Sequence, residues 1–296
     1  MTPLIPWFEV PAITVPGTDF KLHGFGFLVA MGFLFGGKAA MGRARRLGLD
    51  PDVINRLITW LVVGTFIGGH VGYGLMYKPD EYLADPKQFL YLWQGLSSFG
   101  GFVVCVPLSI WFFYKEKVDV WKYLDCLAYG MAIGWFFGRM GCFVAHDHPG
   151  SPTNFYLGVW CRPEPGHMID LPDWLVLDDN PNANRPFSHC VDDPSVHAVH
   201  DMGLYEALWS LSMFGLFQLM DRRAWKPGVM VLLLGTLYAP ARFAMDFLRP
   251  VSSDPRYASL TPAQWLAAVL FVVCAFAVYR RMQAPAEPVK PAPRGA

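Results

Sequence analysis

Two arginines lie inside long apolar stretches of the sequence, at positions 139 and 242. A charged side chain costs roughly 2.5–3.5 kcal/mol to insert into a bilayer, so it normally faces a cavity and has a partner there. Two guanidinium groups that face one cavity would suit a phosphate, whose oxygens they bind bidentately. Two plainer interpretations stay open. Arg139 could extend to the membrane interface, or the two arginines could form interhelical ion pairs, for which Asp246, Glu206 and Asp125 are the acidic candidates.

A second polar cluster, His146-Asp147-His148, follows the first arginine. A carboxylate and imidazoles at an outer membrane face could act as general acid and base, hold a metal, or be the solvated end of a loop. A metal site would need more ligands at tetrahedral spacing, for which the sequence offers His189, Cys190, His197 and His200. No CxxC or HxxxH pattern occurs, so the sequence predicts no metal and no cofactor.

Five further residues could take part in chemistry. His23 and His70 lie at or within apolar stretches, where a histidine is either hydrogen-bonded structure or a functional group. Tyr205 and Glu206 open a later apolar stretch, and Tyr238 lies one turn before the second arginine. Residues four apart share a helix face, so Tyr238 could orient the same phosphate or could be an interfacial aromatic.

The composition predicts the elements that position these groups. The chain has 296 residues, of which 53% are apolar and 16% charged, against about 25% charged in soluble domains. A bilayer span needs about 20 apolar residues. Seven stretches qualify or come close: residues 23–41, 57–77, 99–114, 123–145, 204–220, 229–248 and 265–279. We therefore predict an all-α integral membrane protein with about seven transmembrane helices.

Small residues indicate where these helices meet. Glycines four apart permit close contact between helices. Such pairs are Gly32 with Gly36, Gly68 with Gly72, and Gly130 with Gly134. The stretch 97–101, Ser-Ser-Phe-Gly-Gly, predicts a broken or re-entrant start to the third span, which is tolerated only beside protein or a cavity.

The loop charges predict the orientation. Fifteen lysines and arginines follow the first, third, fifth and seventh spans, against seven in the other loops and before the first span. Cytoplasmic loops carry the excess of basic residues, so we predict an outer N-terminus and a cytoplasmic C-terminus. Residues 1–282 would form one membrane domain with a long outer loop at 147–203, followed by a disordered tail at 283–296. The first residues lack the basic start of a signal peptide, so no cleavage is expected.

Two other features bear on partners. Cys161 and Cys190 share the outer loop and could form a disulfide if that loop faces an oxidising compartment. The remaining cysteines lie in apolar stretches, where a cysteine is usually a small hydrophobe. A net charge of zero gives no argument for nucleic acid.

Five stretches resemble motifs of the bacterial prolipoprotein diacylglyceryl transferases. Residues 138–147 resemble GRxGNFxNGE, 68–73 resemble GGRxGY, 200–206 resemble HPxQLYE, and 238–249 resemble YGxxRxxxExxR. Residues 84–86 and 93–101 resemble the family's ADP and WDGGxSFHGG. The motifs occur in the family's order, and the resemblance runs from about residue 21 to residue 279.

The resemblance implies a reaction and a site. The family transfers a diacylglyceryl group from phosphatidylglycerol to the lipobox cysteine of a preprolipoprotein, and glycerol phosphate leaves. By this resemblance, Arg139 and Arg242 would clamp the leaving phosphate, and His146, Asp147 and His23 complete the predicted catalytic residues. Substrate binding is predicted for Arg139, Arg242, Tyr238, Gly100, Gly101, His70, Tyr205 and Glu206. The implied partners are phosphatidylglycerol, preprolipoprotein signal peptides and the lipid bilayer, in the bacterial inner membrane.

Several motif positions differ from the family pattern. Phe99 stands where the family has a histidine, Cys142 where it has an asparagine, and His70 where it has an arginine. Residues 145–147 read Ala-His-Asp instead of Asn-Gly-Glu. His146, His148 or His23 could supply the base. Two other interpretations stay open: a divergent paralogue with another acceptor or lipid, and a non-catalytic membrane protein that binds lipid or metal. An inverted repeat with paired broken helices would suggest a transporter, and we see no such repeat in the sequence.

Overall fold

The computed structural model describes residues 3–8, 10, 12–14, 21–91, 95–161, 175–176, 197–251 and 255–284. Two compact units form: Met1–Gly36 with Ala128–Ala296, and Gly37–Leu127. Most of the predicted outer loop, including His189 and Cys190, lies outside the described residues, and so does the predicted tail beyond residue 284.

The described residues form eight α-helices, seven of which are long. They are α1 (Gly24–Arg46), α2 (Pro51–Tyr77), the short α3 (Pro79–Ala84), α4 (Ser98–Glu116), α5 (Val120–Ala145), α6 (Met202–Met220), α7 (Val229–Met245) and α8 (Pro262–Gln283). Two short 3-10 helices also form, one at Pro86–Leu90 after α3 and one at Asp246–Leu248 after α7. Each predicted apolar stretch coincides with one long helix. Five helical segments, at 24–46, 51–77, 120–145, 229–248 and 262–283, are long and apolar enough to cross a membrane.

Side-chain caps fix where several helices begin. Asp50 accepts from the backbone N–H of Asp52 at 2.9 Å at the start of α2, and Ser97 accepts from that of Gly100 at 3.3 Å at the start of α4. Thr261 and Gln264 form a reciprocal capping box at the start of α8. Such caps satisfy N–H groups that lack a partner within the helix. α4 begins as a regular capped helix, so a broken start at 97–101 is wrong, while a re-entrant course through a membrane stays a prediction.

The predicted glycine contacts are confirmed in both units. In the first, a Cβ on Gly32 would lie 2.7 Å from the carbonyl oxygen of Gly134, where α1 meets α5. In the second, a Cβ on Gly72 would lie 2.5 Å from the Cα of Gly100, where α2 meets α4. Real Cβ atoms are not found at such distances, so only glycine lets these backbones approach each other so closely.

Two small antiparallel sheets lie in the first unit. One has the order β2 (Lys21–Leu22), β1 (Ala12–Thr14), β5 (Leu175–Val176), and the other has β3 (Pro149–Pro152), β6 (Ala198–Asp201), β4 (Val159–Trp160). The second sheet joins the end of α5 to the start of α6. Asp201 ends β6 and accepts from the N–H of Leu204 at 2.9 Å, so it also caps α6. Next to β4, Cys161 is disulfide-bonded.

Candidate functional site

A buried glutamate joins the two arginines in the first unit. Glu206 lies in α6, and its side chain is only 4% exposed. One carboxylate oxygen lies 2.9 Å from Nε of Arg139 on α5. The other lies 4.0 Å from Nη1 of Arg242 on α7. Three helices therefore bring both guanidinium groups to one carboxylate.

A second carboxylate holds Arg242 from the other side. Asp246 is fully buried one helical turn later, and its Oδ1 lies 3.1 Å from Nη1 of Arg242 and 3.7 Å from Nη1 of Arg249. Its other oxygen accepts a hydrogen bond from the hydroxyl of Thr261, the cap of α8. Asp246 thus fixes the rotamer of Arg242 and ties the arginine to the start of the next helix.

Each arginine keeps donors to spare. A guanidinium has five N–H donors. Among the described residues, Arg139 uses Nε toward Glu206 and Nη1 toward the sulfur of Cys142 at 3.7 Å. Arg242 uses Nη1 toward both of its carboxylates. Both side chains are about a fifth exposed, at 19% and 20%. The remaining donors can therefore bind an anion without breaking the existing pairs.

Aromatic rings surround this cluster. The guanidinium carbon of Arg139 lies 5.3 Å from the ring centroid of Trp135, a cation–π distance. The ring of Tyr238 packs edge-on against Trp135 and Trp209, with centroids 6.4 and 5.3 Å apart. The Tyr238 hydroxyl donates to Glu206 at 3.5 Å. These rings pack around the charged groups.

A cavity with one polar end lies between α7 and α8. Its volume is about 320 Å³. Arg242 and Tyr238 supply the polar lining, and the rest is apolar: Ala239, Ala263, Leu266, Ala267 and Leu270. Leu266 and Leu270 are also exposed on the outer surface of their helix. The cavity therefore has the chemistry of a lipid site, with a cation for a headgroup and an apolar wall for chains.

A cysteine, an aspartate and a histidine form a second cluster beside Arg139. The sulfur of Cys142 lies one helical turn after Arg139, and Nδ1 of His148 is hydrogen-bonded to Oδ1 of Asp147. The ligand atoms of Cys142, Asp147 and His148 all lie within 4.8 Å of one another. The hydrogen bond to Asp147, followed by that to Cys142, raises the pKa of His148 to about 9. The imidazolium form of His148 is therefore favoured at neutral pH.

A left-handed turn at His146 builds this second cluster. His146 has φ of 51° at the end of α5, and the N–H of Asp147 donates back to the carbonyl of Cys142 at 3.4 Å. This is a Schellman turn, whose left-handed position normally favours glycine. The imidazole stacks on Trp7 at 4.8 Å, and its Nε2 donates to the carbonyl of Phe8 at 2.8 Å. These contacts hold a non-glycine residue in a conformation that costs about 1–2 kcal/mol.

The other predicted residues of the first unit lie at helix starts. His23 directly precedes α1, and its carbonyl accepts from the N–H of Phe27 at 3.1 Å. The hydroxyl of Tyr205 lies 2.8 Å from Nδ1 of His200 and 3.4 Å from the carbonyl of Leu157, so Tyr205 contacts the small sheet. Burial lowers the pKa of His200, which favours its neutral form.

The three remaining predicted residues belong to the second unit. His70 is fully buried, with its ring nitrogens 3.1 Å and 3.0 Å from the carbonyls of Gly95 and Gln88. Gly100 lies at the crossing of α2 and α4, where a Cβ would lie 2.3 Å from the carbonyl of Gly68. At Gly101 a Cβ would meet nothing nearer than 3.7 Å. These surroundings are described within the second unit alone, and a role for these residues in substrate binding stays a prediction.

The sequence analysis assigns no functional role to Cys142 or Trp135. Both lie in an apolar stretch, where such residues are commonly packing groups. Their spacing from Arg139, three residues after and four before, puts them on its helix face. That spacing was the available signal, and the structure shows both side chains in contact with the guanidinium.

Comparisons with known proteins identify the family of this chain. The sequence matches the prolipoprotein diacylglyceryl transferase family over residues 12–280. A phosphatidylglycerol–prolipoprotein diacylglyceryl transferase of Chromohalobacter salexigens is 28% identical over 248 residues, which cover 83% of this chain and 82% of that protein. A protein of the same name from Xylella fastidiosa is 29% identical over 284 residues, covering 92% and 93%. One from Cereibacter sphaeroides is 29% identical over 253 residues, covering 81% and 80%. Because the family match spans most of its length, the chain belongs to the prolipoprotein diacylglyceryl transferase family.

Proposed function

We propose that this protein transfers the diacylglyceryl group of phosphatidylglycerol to the lipobox cysteine of preprolipoproteins, the first step in lipoprotein maturation. The observation that carries this proposal is the pair of arginines on one buried glutamate, beside a cavity that is polar at one end and apolar along its walls. The lipid and the signal peptide would be its two substrates.

The arginines would act on the leaving group. A phosphodiester carries one negative charge, and the glycerol phosphate that leaves gains a second one as the ester bond breaks. The spare donors of Arg139 and Arg242 therefore bind the transition state more strongly than the bound lipid, which is the condition for catalysis. Glu206 and Asp246 position the two guanidinium groups, and Tyr238 closes the polar end of the cavity.

The acyl chains would extend along α8. Leu266 and Leu270 line the cavity and are also exposed on the helix surface. A lipid could therefore enter sideways from the bilayer, with its headgroup at Arg242 and its chains against these leucines. Burial of each methylene there contributes about 0.8 kcal/mol.

The membrane arrangement is part of the proposal. We place the protein in the bacterial inner membrane with seven spans, an outer N-terminus and a cytoplasmic C-terminus. Basic residues at the ends of α1 and α8, such as Arg45 and Arg280, support this orientation. Residues 1–282 would form one membrane domain, with the loop 147–203 outside and the tail 283–296 in the cytoplasm. The substrate-binding roles predicted for Tyr205, His70, Gly100 and Gly101, and the catalytic roles predicted for His23, His146 and Asp147, stay predictions, and variants of His70, Gly100, Gly101 and His146 test four of them below.

A mass measurement on a peptide tests the reaction. Purified protein is incubated with phosphatidylglycerol and a lipobox peptide, and the peptide is weighed by mass spectrometry. The diacylglyceryl adduct should appear with the native protein, and Arg139→Ala or Arg242→Ala should each lower its rate by at least about 100-fold. Arg223→Ala, an exposed arginine after α6, serves as the control and should keep the native rate. Near-full activity of either site variant contradicts the clamp.

A divergent paralogue with another acceptor is the second candidate. It is favoured by Cys142, His146 and Asp147, which replace the asparagine, glycine and glutamate of the family motif. Consumption of phosphatidylglycerol without a change in the mass of the lipobox peptide would support this candidate over the first.

A further inference from the structure

The cluster of Cys142, Asp147 and His148 has no part in the phosphate clamp. The cluster contains three different groups that bind metal ions, a thiol, a carboxylate and an imidazole, and their ligand atoms lie within 4.8 Å of one another. Cys142 is half-buried and Asp147 is exposed, so an ion and a substrate can both reach the cluster. The turn at His146 assembles it by folding residues 147 and 148 back over Cys142.

This donor set fits zinc. Catalytic zinc sites have three protein ligands drawn from cysteine, histidine and carboxylates, and they keep a fourth position for water or substrate. Zinc–ligand bonds of about 2.0–2.3 Å put tetrahedral ligands about 3–4 Å apart, so the longest of the three separations needs to shorten by about 1 Å. The side chains of Asp147 and His148, which now contact each other, would part to admit the ion.

We propose that Cys142, Asp147 and His148 bind one zinc ion, and that the fourth position of the ion binds the acceptor thiol as a thiolate. The second half of this proposal depends on the proposed transfer reaction. The sequence predicts no metal here, because no CxxC or HxxxH pattern occurs. The left-handed turn at His146 brings Asp147 and His148 back to Cys142.

A thiol acceptor needs a group that favours its deprotonated form, and a zinc ion is such a group. A free cysteine has a pKa of about 8.5 and is mostly protonated at neutral pH. Coordination to zinc deprotonates a thiol. The site is also close to the leaving group, because Nη1 of Arg139 lies 3.7 Å from the sulfur of Cys142. Nucleophile and phosphate would therefore occupy neighbouring positions on either side of Arg139.

In the transfer, Cys142, Asp147 and His148 would hold the zinc ion, and the ion would supply a site at which the acceptor thiol loses its proton to water. A sulfur lone pair forms the S–C bond to the glyceryl carbon that carries the phosphate, while the C–O bond to that phosphate breaks. The electron pair of the broken bond leaves on the oxygen of glycerol phosphate, beside Arg139 and Arg242. No oxidant or reductant takes part.

Metal content and a cobalt spectrum test the site. Full-length protein is purified without chelator, dialysed against zinc and analysed for bound metal; we expect about one zinc per chain. Cys142→Ser and His148→Gln should each lose most of it, while Cys105→Ser, the control in the second unit, should keep it. The protein reloaded with Co²⁺ should show a thiolate-to-cobalt absorption band that is lost in Cys142→Ser. Addition of the lipobox peptide should change this spectrum, and the same peptide with serine for cysteine should not.

The outcomes separate this proposal from the reaction itself. Absence of stoichiometric zinc, or equal zinc in the native protein and in both site variants, overturns the site, provided that the variants remain monodisperse in detergent. Diacylglyceryl transfer at the native rate in excess chelator overturns the role of zinc and leaves the transfer intact. Bound zinc without any adduct on the peptide contradicts the transfer and, with it, the thiol at the fourth position.

Discussion

Two buried polar regions, one in each unit, differ in how much of their hydrogen-bonding capacity is used. In the second unit, both ring nitrogens of His70 face backbone carbonyls, so the side chain has no further polar atom to offer. In the first unit, Arg139 and Arg242 bind Glu206 and still keep donors to spare. A buried polar group with every atom used holds a loop in place, whereas one with spare donors beside a cavity can bind a ligand.

Glu206→Gln tests the first region and should have the largest effect. The amide keeps the size of the side chain but removes the charge that holds both guanidinium groups. Misplacement of catalytic groups by about 1 Å costs on the order of 100-fold in rate, so we expect kcat for peptide modification to fall by about that factor. Loss of one partner of a buried ion pair lowers the free energy of unfolding by about 3–5 kcal/mol. Because the arginines are partly exposed, we expect a decrease of about 2 kcal/mol here.

Glu116→Gln is the matched control for this change. Glu116 pairs with Arg56 at 2.8 Å in the second unit, but the pair is exposed to solvent. Exposed pairs contribute about 0–1 kcal/mol, so this variant should keep both its rate and its thermal unfolding temperature in detergent. An equal loss of rate in the two variants would mean that Glu206 has no special role in positioning the clamp.

His70→Ala tests the second region and should act on stability. The substitution leaves the carbonyls of Gly95 and Gln88 without this partner and opens a cavity, which together cost about 2–4 kcal/mol. The rate per folded molecule should change by less than about threefold, since no polar atom of His70 is left for a substrate. His70→Gln, which can donate to one carbonyl, should recover part of the stability. A rate loss in His70→Gln at unchanged stability would instead support the predicted role in substrate binding.

The sequence predicts the helices well because the membrane imposes their length and apolarity. The largest error lies at the start of α2, which begins at Pro51 instead of residue 57. Its first turns carry Asp52, Asn55 and Arg56, polar residues that an apolar stretch excludes although a capped helix accepts them.

The candidate site could be predicted only where it involves isolated charges. Arg139 and Arg242 are recognisable because a cation among apolar residues is costly. The contact of Cys142 with Asp147 and His148 is not, since those residues reach it through a left-handed turn at His146. That turn is held by contacts to Trp7 and Phe8 from the far end of the chain, 138 residues away in the case of Phe8. No local pattern encodes such a contact.

Gly100→Ala and Gly101→Ala separate packing from binding in the second unit. A Cβ at Gly100 would lie 2.3 Å from the carbonyl of Gly68, so α2 and α4 must move apart, at a cost of about 1–3 kcal/mol. A Cβ at Gly101 meets only an ordinary contact at 3.7 Å, so this variant should unfold at the native temperature. Thermal unfolding and peptide modification are measured on both. A rate loss in Gly101→Ala at native stability would indicate that substrate approaches the backbone there.

His146→Gly should have the smallest effect and extends the comparison to a histidine in the first unit. His146 resembles His70 in that Nε2 binds a backbone carbonyl, that of Phe8. Glycine adopts φ of 51° without strain, so the turn that brings Asp147 to Cys142 should persist, and the lost stacking on Trp7 should cost about 1 kcal/mol. If His146 only positions the turn, the rate of peptide modification should stay within about threefold of native, whereas His146→Val, a β-branched residue that strongly disfavours positive φ, should lose both stability and rate. If instead glycine lowers the rate as much as valine does while the protein stays folded, His146 is a catalytic group. A hydrogen bond from a buried histidine to a backbone carbonyl would then not distinguish a structural histidine from a catalytic one.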